Sequence, residues 1–151
     1  MRFLNFGSLN IDHVYSVNDF VTAGETVSSL RLQTFCGGKG LNQSVALAQA
    51  GGRVYHAGAI GKDGRALTDF LSVKGVDTSL VREVDGFTGH AVIQVNSQGE
   101  NCIILHKGAN FSMDMQFADK VLGDFGNGDV LLLQNEINML SYIITAAKKG
   151  K

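Results

Sequence analysis

The sequence predicts an α/β fold, with a buried parallel sheet flanked by helices and a smaller half-exposed sheet beside it. Strand and helix patterns alternate along the chain, which is typical of a parallel sheet with crossover helices. Residues 129–134 (DVLLLQ) form an apolar run of the kind found in strands covered on both faces. Segments at about 11–17, 27–36 and 87–107 instead alternate apolar and polar residues. We expect these segments to form a separate flap that is exposed on one face.

The elements of the first half follow in order. Residues 2–7 predict an opening strand that ends at Gly7, and residues 27–36 predict a half-exposed strand. Residues 41–50 have apolar side chains at helical spacing, stopped by Gly51 and Gly52. Residues 54–61 (VYHAGAIG) predict a buried strand. A second helix follows residues 62–65 and closes at Gly75, which suits a left-handed helix cap.

The second half continues the alternation. Residues 76–83 are short and extended, and residues 86–107 predict a β-hairpin with arms at 89–95 and 101–106. Ser112 is the expected N-cap of the next helix. After the apolar strand at 129–134, the last helix has Leu140 and Ile143 on its apolar side and lysines near its end, at Lys148, Lys149 and Lys151.

Composition excludes several classes of protein. The chain has 151 residues, of which 44% are hydrophobic and 18% charged, with a formal net charge of −1, so it fits one globular domain. It has no basic run, so the electrostatic footprint of a nucleic-acid-binding protein is missing. No segment approaches 18 consecutive apolar residues, and the first residues do not form a signal peptide. Two cysteines are too few for a disulfide framework. We therefore expect a cytoplasmic protein that binds neither nucleic acid nor membrane.

A glycine-rich stretch is the first candidate site. Gly37, Gly38 and Gly40 surround Lys39 at the start of the predicted helix. Glycines allow a close backbone approach, and the free N–H groups of a helix start suit a polar or anionic ligand. The stretch is neither a Walker A loop nor a dinucleotide-binding fingerprint, because the required spacings do not occur. The alternative is a simple turn that leads into a core helix.

Two further groups of polar residues point to the same chemistry. Asn10 and Asp12 are two residues apart in an extended segment, so their side chains share one side and could hold two hydroxyls of a polyol. The alternative is that they cap a turn. Glu136 follows the apolar strand at its carboxyl end, where open α/β sheets bind ligands. The four histidines have no ligand-like spacing, and we assign them no chemistry.

These residues, together with several other motifs, resemble the N-terminal half of the ribokinases, in the PfkB family of carbohydrate kinases. The resemblance runs in order along the whole chain, 1–151. Six segments carry it: GSLNIDH, AGETV, FCGGKGLNQSVALAQAGG, GAIGKDGRA, GENCIILHKGAN and LLLQNEI. It implies a ribokinase-like, Rossmann-type sheet flanked by helices, with a small β-sheet lid whose strands are inserted at about 11–36 and 87–107.

The resemblance also implies which residues contact the sugar: Asn10, Asp12, Gly37, Gly38, Lys39, Asn42 and Glu136. It implies D-ribose as the substrate and a homodimer formed through the lid. A ribokinase uses ATP and Mg²⁺ with a monovalent cation, and its second half carries the catalytic base aspartate in a Gly-Ala-Gly-Asp segment. That segment does not occur here, so we expect no catalytic residue, no metal site and no ATP site in this chain, and no turnover by it alone.

Three functions therefore stay open. The chain is the sugar-binding and lid half of an ATP-dependent ribokinase, a non-catalytic sugar-binding or dimerising module, or part of a kinase for another acceptor. Fructose, a nucleoside and 2-keto-3-deoxygluconate are the other acceptors considered. Cutting a parallel sheet in half also leaves an apolar unpaired edge, so we expect the chain to form oligomers or to be marginally stable.

Overall fold

A computed structural model describes residues 1–149 of the chain. These residues form two four-stranded sheets and four α-helices. The strands of the first sheet are β1 Phe3–Phe6, β4 Val54–Ile60, β5 Asp77–Glu83 and β8 Val130–Leu133. The strands of the second sheet are β2 Asn10–Ser16, β3 Arg31–Gly37, β6 Gly89–Val95 and β7 Asn101–His106. The helices are α1 Lys39–Gln49, α2 Arg65–Val73, α3 Met115–Gly123 and α4 Leu140–Lys149, and a 3-10 helix spans Gly108–Phe111.

The first sheet is parallel throughout, with the strand order β5-β4-β1-β8. Phe6 of β1 pairs with Ala57 of β4 on one side and with Leu133 of β8 on the other. The segments that follow these strands therefore leave the sheet at one common edge. The predicted α/β fold is confirmed, and this edge is where such folds place ligands.

Two apolar clusters cover the two faces of this sheet. One contains Leu4 and Phe6 of β1, packed with residues of α3 and α4 such as Val121 and Ile143. The other contains Leu9 and buried leucines of α1 and α2, with Phe3 of β1 packed against it. Alternate side chains of β1 thus point to opposite faces, and both faces are buried.

The second sheet is mixed, with the order β3-β2-β6-β7. Strand β2 begins only a few residues after β1, so the second sheet starts at the edge of the first. Asn10 pairs with Gly37 of β3 and with Gly89 of β6. The β6–β7 hairpin is antiparallel and has the predicted arms. All of β7 is exposed, as expected for the outer strand of a flap.

Two predicted boundaries are wrong. Strand β3 begins at Arg31 rather than at residue 27, because its neighbour β2 ends at Ser16, which pairs with Arg31. Helix α3 is capped by Asp114, whose carboxylate accepts a hydrogen bond of 2.7 Å from the backbone nitrogen of Phe117. The predicted cap, Ser112, instead donates to the carbonyl of Ala109 at 2.6 Å and closes the 3-10 helix. The final lysine, Lys151, lies outside the described residues.

Strand β8 is the last strand of the first sheet within residues 1–149, and it pairs only with β1 there. Val130 on this strand is 38% exposed. Across the same residues, no helix combines the length and the apolar character needed to cross a bilayer.

Candidate sugar-binding site

The glycine loop lies directly against the segment that leaves β1. Gly38, the N-cap of α1, has a φ of 96°, a conformation that glycine adopts without strain. A Cβ on Gly40 would lie 2.4 Å from the backbone nitrogen of Ser8 and 2.6 Å from its carbonyl oxygen. The backbone nitrogen of Leu41 donates to that carbonyl at 3.0 Å. The glycines are therefore needed so that the start of α1 can pack on Ser8, which is more than a simple turn requires.

Glu136 leaves the end of β8 and reaches the start of α1. One oxygen of its carboxylate, Oε2, accepts hydrogen bonds from the Ser8 hydroxyl at 2.7 Å and from the backbone nitrogen of Lys39 at 3.1 Å. The other oxygen, Oε1, forms an ion pair with the Lys39 ammonium group. Burial alone would raise the pKa of Glu136, but the hydrogen bonds from Lys39 and Ser8 outweigh it and lower that pKa. Glu136 is therefore a carboxylate held in a fixed position.

Asn10 and Asp12 lie on strand β2, so the interpretation that they cap a turn is wrong. Their side chains are on the same face of the strand, as predicted. A Cβ on Gly37 of the neighbouring strand would lie 2.0 Å from Asp12 Oδ2. Gly37 is thus required because the Asp12 carboxylate lies over it.

The carboxylate of Asp12 is half-buried and differs from that of Glu136 in its partners. Burial raises its pKa, and the nearby negative charge of Glu136 raises it further. No hydrogen bond to this carboxylate occurs among residues 1–149. A half-buried carboxylate without partners gains stability when hydroxyl groups donate to it.

The predicted residues lie along one continuous surface. Gly38 packs on Asn10, since a Cβ on Gly38 would lie 3.1 Å from the backbone nitrogen of Asn10. The backbone nitrogen of Asn42, in the first turn of α1, donates to the carbonyl of Gly38 at 3.0 Å. The Asn42 side chain is exposed. The structure thus brings together the glycine loop, the β2 pair and the residue after β8.

Sequence reasoning missed a buried polar network beneath the glycine loop. Asn5 donates to the carbonyl of Gly40 at 2.7 Å and to the Ser44 hydroxyl at 2.8 Å. The Ser44 oxygen lies 2.8 Å from Nδ1 of His56, whose Nε2 lies 3.2 Å from the carbonyl oxygen of Gly7. Since a carbonyl only accepts, Nε2 carries the proton and Nδ1 accepts from Ser44. A polar residue within each of two apolar strands, Asn5 and His56, was the available signal.

Complete burial holds His56 neutral, lowering its pKa from 6.5 to about 4. Gln134 joins the network from the end of β8, donating to Asn5 Oδ1 at 2.6 Å and to Gln43 Oε1 at 2.7 Å. Side chains from β1, β4, β8 and α1 therefore fix the backbone that carries Ser8 and Gly40.

Among the residues that the structure describes, no group of three or more His, Cys, Asp or Glu side chains is placed to hold a metal ion. The Lys39 ammonium group and the Asn10 amide at this edge are hydrogen-bond donors, and the carboxylates of Asp12 and Glu136 are acceptors. Ser8 and Lys39 already engage both oxygens of the Glu136 carboxylate, so these residues offer no set of free carboxylates for Mg²⁺.

Comparisons with known proteins identify the family. The family model described as "pfkB family carbohydrate kinase" matches residues 2–150 of the chain. The chain is 37% identical over 148 residues to a ribokinase of Haemophilus influenzae, a match that covers 96% of this chain and 48% of that protein.

Two solved structures are also similar. A ribokinase from Cryptococcus neoformans var. grubii in complex with ADP matches with a TM-score of 0.81 and 40% identity, covering 95% of this chain and 45% of that one. An Arabidopsis thaliana ribokinase complexed with ribose and ATP matches with a TM-score of 0.84 and 32% identity, covering 99% of this chain and 50% of that one. The chain spans about half the length of the curated relatives it matches.

Proposed function

Since the chain belongs to the pfkB family of carbohydrate kinases, we propose that the whole protein phosphorylates D-ribose to ribose 5-phosphate with ATP, and that this chain supplies the sugar-binding and lid half. The observation that carries the proposal is the unpartnered carboxylate of Asp12 at the same edge as the Lys39–Glu136 pair. The relatives named ribokinase, one of them complexed with ribose and ATP, support ribose as the acceptor.

The proposed sugar contacts divide by hydrogen-bonding role. Asp12 and Glu136 accept hydrogen bonds from sugar hydroxyls, and Asn10 and Lys39 donate to sugar oxygens. The backbone around Gly38 and Asn42 borders the same surface. A sugar that loses its water must find such partners, because an unpaired hydroxyl in a buried site costs several kcal/mol. The rigid network beneath the loop keeps these groups in place before the sugar binds.

The second sheet is the proposed lid. Strand β2 carries Asn10 and Asp12 and continues away from the edge of the first sheet, so movement of the second sheet would open or close the sugar site. ATP supplies the phosphoryl group in this family, and we place ATP, Mg²⁺, the monovalent cation and the catalytic base in the part of the whole protein that follows these residues. This chain would bind and orient the acceptor and would not turn over alone.

The lid also supports a proposed homodimer. On the face that carries Asp12, the apolar side chains of Phe35, Ile103 and Leu105 are 49%, 53% and 46% exposed. Such an apolar surface on a small sheet is typical of an interface. It equally supports the second candidate, a non-catalytic sugar-binding and dimerising module, because that function needs the same surface and the same sugar contacts.

A thermal-shift screen followed by a kinase assay tests these proposals. D-Ribose, fructose, a nucleoside and ATP are each added alone to the chain. A ligand that binds only the native state must raise the melting temperature, and we expect a rise with ribose and none with ATP. A larger rise with fructose or the nucleoside would assign a different acceptor.

The kinase assay uses ATP and ribose with the chain alone and with the whole protein. We expect turnover only by the whole protein. Turnover by the 151-residue chain would refute the role given to the other half. Ribose binding with no turnover by the whole protein would favour the non-catalytic module.

A further inference from the structure

Asn110 is a buried residue that none of the roles above uses. It lies in the 3-10 helix that follows β7 and is only 2% exposed. Its side-chain oxygen Oδ1 accepts a hydrogen bond of 2.9 Å from the backbone nitrogen of Leu9. Its nitrogen Nδ2 donates to the carbonyl of Leu9 at 3.2 Å and to Oδ1 of Asn10 at 2.7 Å.

These contacts fix which end of the Asn110 amide faces which partner. A backbone N–H only donates, so the atom facing it must be the oxygen of Asn110, and the Leu9 carbonyl only accepts, so the atom facing it must be the nitrogen. The orientation of Asn110 therefore follows from the backbone of Leu9, whatever happens at the sugar site.

The orientation of Asn110 in turn decides that of Asn10. Because Nδ2 of Asn110 donates, the atom of Asn10 that faces it must be the oxygen. The nitrogen of Asn10 is then left for a ligand. This nitrogen has no hydrogen-bond partner within residues 1–149. The fully buried side-chain atoms without a partner in that range are Arg82 Nε and Gln134 Oε1, so the Asn10 nitrogen is accessible to solvent.

Gly89 of β6 lies close against the hydrogen-bonded amides of Asn110 and Asn10. A Cβ on Gly89 would lie 2.1 Å from Nδ2 of Asn110 and 2.4 Å from Oδ1 of Asn10. Gly89 is also the residue of β6 that pairs with Asn10. The hydrogen bond between the two amides is thus enclosed by backbone on this side.

We propose that Asn110 is a positioning residue that fixes the amide of Asn10 with its nitrogen towards the sugar. Asn10 then offers a donor, whereas Asp12 on the same face offers only acceptors. The two residues therefore require different hydrogen-bonding roles of two neighbouring sugar oxygens. The oxygen at Asn10 must accept a hydrogen bond, and the hydroxyl at Asp12 must donate one. This inference rests on the proposed function for its ligand, but the amide orientation itself does not.

The orientation is tested first, without sugar, by NMR of the asparagine side-chain amides in the wild-type chain. We expect the NH₂ protons of Asn110 to exchange slowly with water and those of Asn10 to exchange quickly. Slow exchange at Asn10 with fast exchange at Asn110 would overturn the inference, even if sugar binds normally. This measurement needs no variant, so it does not depend on a variant that folds.

The effect on the ligand is tested by a double-mutant cycle on ribose affinity with Asn10→Ala and Asn110→Ala. We expect each single change to weaken binding about 10-fold, the loss of one hydrogen bond of about 1.4 kcal/mol. The double variant should bind no more weakly than Asn10→Ala. Additive losses, or wild-type affinity in Asn110→Ala, would overturn the positioning role. If wild-type chain with the expected amide exchange binds no sugar, the proposed function fails and the sugar contact of Asn10 fails with it.

Discussion

Replacing Gly37 by alanine should disable the sugar site while the fold stays intact. The new Cβ would lie 2.0 Å from Oδ2 and 2.5 Å from Cγ of Asp12, distances that no real contact allows. The obstacle is a carboxylate on a short side chain that can rotate, and Gly37 itself does not have a positive φ. We therefore expect Asp12 to turn away while the strand keeps its pairing.

The magnitude follows from the contact that is lost. A hydrogen bond to a charged group contributes about 1.5–3 kcal/mol, so displacing the Asp12 carboxylate should weaken ribose binding about 10- to 150-fold. Exchanging Gly for Ala in a compatible conformation changes the free energy of unfolding by less than about 1 kcal/mol. Affinity and stability should thus respond very differently.

The assay is calorimetric titration with ribose, combined with thermal unfolding of each variant. Gly123→Ala is the matched control, because a Cβ there meets no atom within 4 Å and it should leave affinity unchanged. Asp12→Ala should lose as much affinity as Gly37→Ala, and the double variant should lose no more. Wild-type affinity in Gly37→Ala would refute the contact between Asp12 and the sugar.

Three further predictions concern stability and assembly. Gly40→Ala should unfold at a lower temperature than the Gly123→Ala control, because its Cβ would lie 2.4 Å from the backbone of Ser8, which cannot rotate away; equal melting temperatures would contradict this. Acidification should destabilise the fold through His56, whose pKa is about 4 when folded against 6.5 as its ordinary value, so stability is complete above pH 6.5 and is lost as the pH falls towards 4. Denaturant titrations should show a free energy of unfolding about 2 kcal/mol lower at pH 5 than at pH 7.5. His56→Gln, which keeps a donor and an acceptor, should remove most of that difference. The same pH difference in the variant as in the wild type would contradict the role given to His56. Ile103→Asp should convert a dimer to a monomer in analytical ultracentrifugation, and a wild-type monomer at high concentration would count against the proposed interface.

Much of the fold could be predicted because burial leaves a clear pattern. The apolar run of β8 predicted a buried strand and the apolar spacing of α1 predicted a helix, and both predictions are confirmed. The hairpin arms of β6 and β7 were also predicted, because Gly99 and its polar neighbours mark the turn between two alternating segments. These elements could be predicted because the residues within and next to them determine their structure.

The errors arose where a distant partner decided the outcome. Residues 27–30 continue the predicted alternation, but β2 ends at Ser16. Leu30 still donates to the carbonyl of Ser16 at 2.8 Å, and the strand pairing does not extend to residues 27–29. Ser112 and Asp114 are both good N-caps, and only the position of the 3-10 helix decides between them. Neither the end of β2 nor the position of the 3-10 helix can be inferred from the residues next to each boundary.

The glycine loop, the pair Asn10 and Asp12, and Glu136 were singled out from the sequence pattern, and the resemblance to the ribokinases added Asn42 and the sugar as ligand. The residues that support them were not predicted. Ser8, His56 and Asn110 act through hydrogen bonds to residues between 12 and 128 positions away in the chain. Each is a polar residue in a segment that otherwise looks like strand or turn. The partners of Ser8 and His56 are brought close when β1, β4 and β8 pair, and those of Asn110 when the 3-10 helix packs against the start of β2.

The most direct test of the central claim is a calorimetric titration of the chain with D-ribose, alongside the isosteric variant Asp12→Asn. The account predicts saturable binding by the wild-type chain and affinity at least about 10-fold weaker in the variant, because an amide accepts fewer hydrogen bonds from hydroxyls than a carboxylate does. Equal affinity in the two proteins, or a folded wild-type chain that binds no ribose, would contradict the claim that this edge of the sheet is a sugar site.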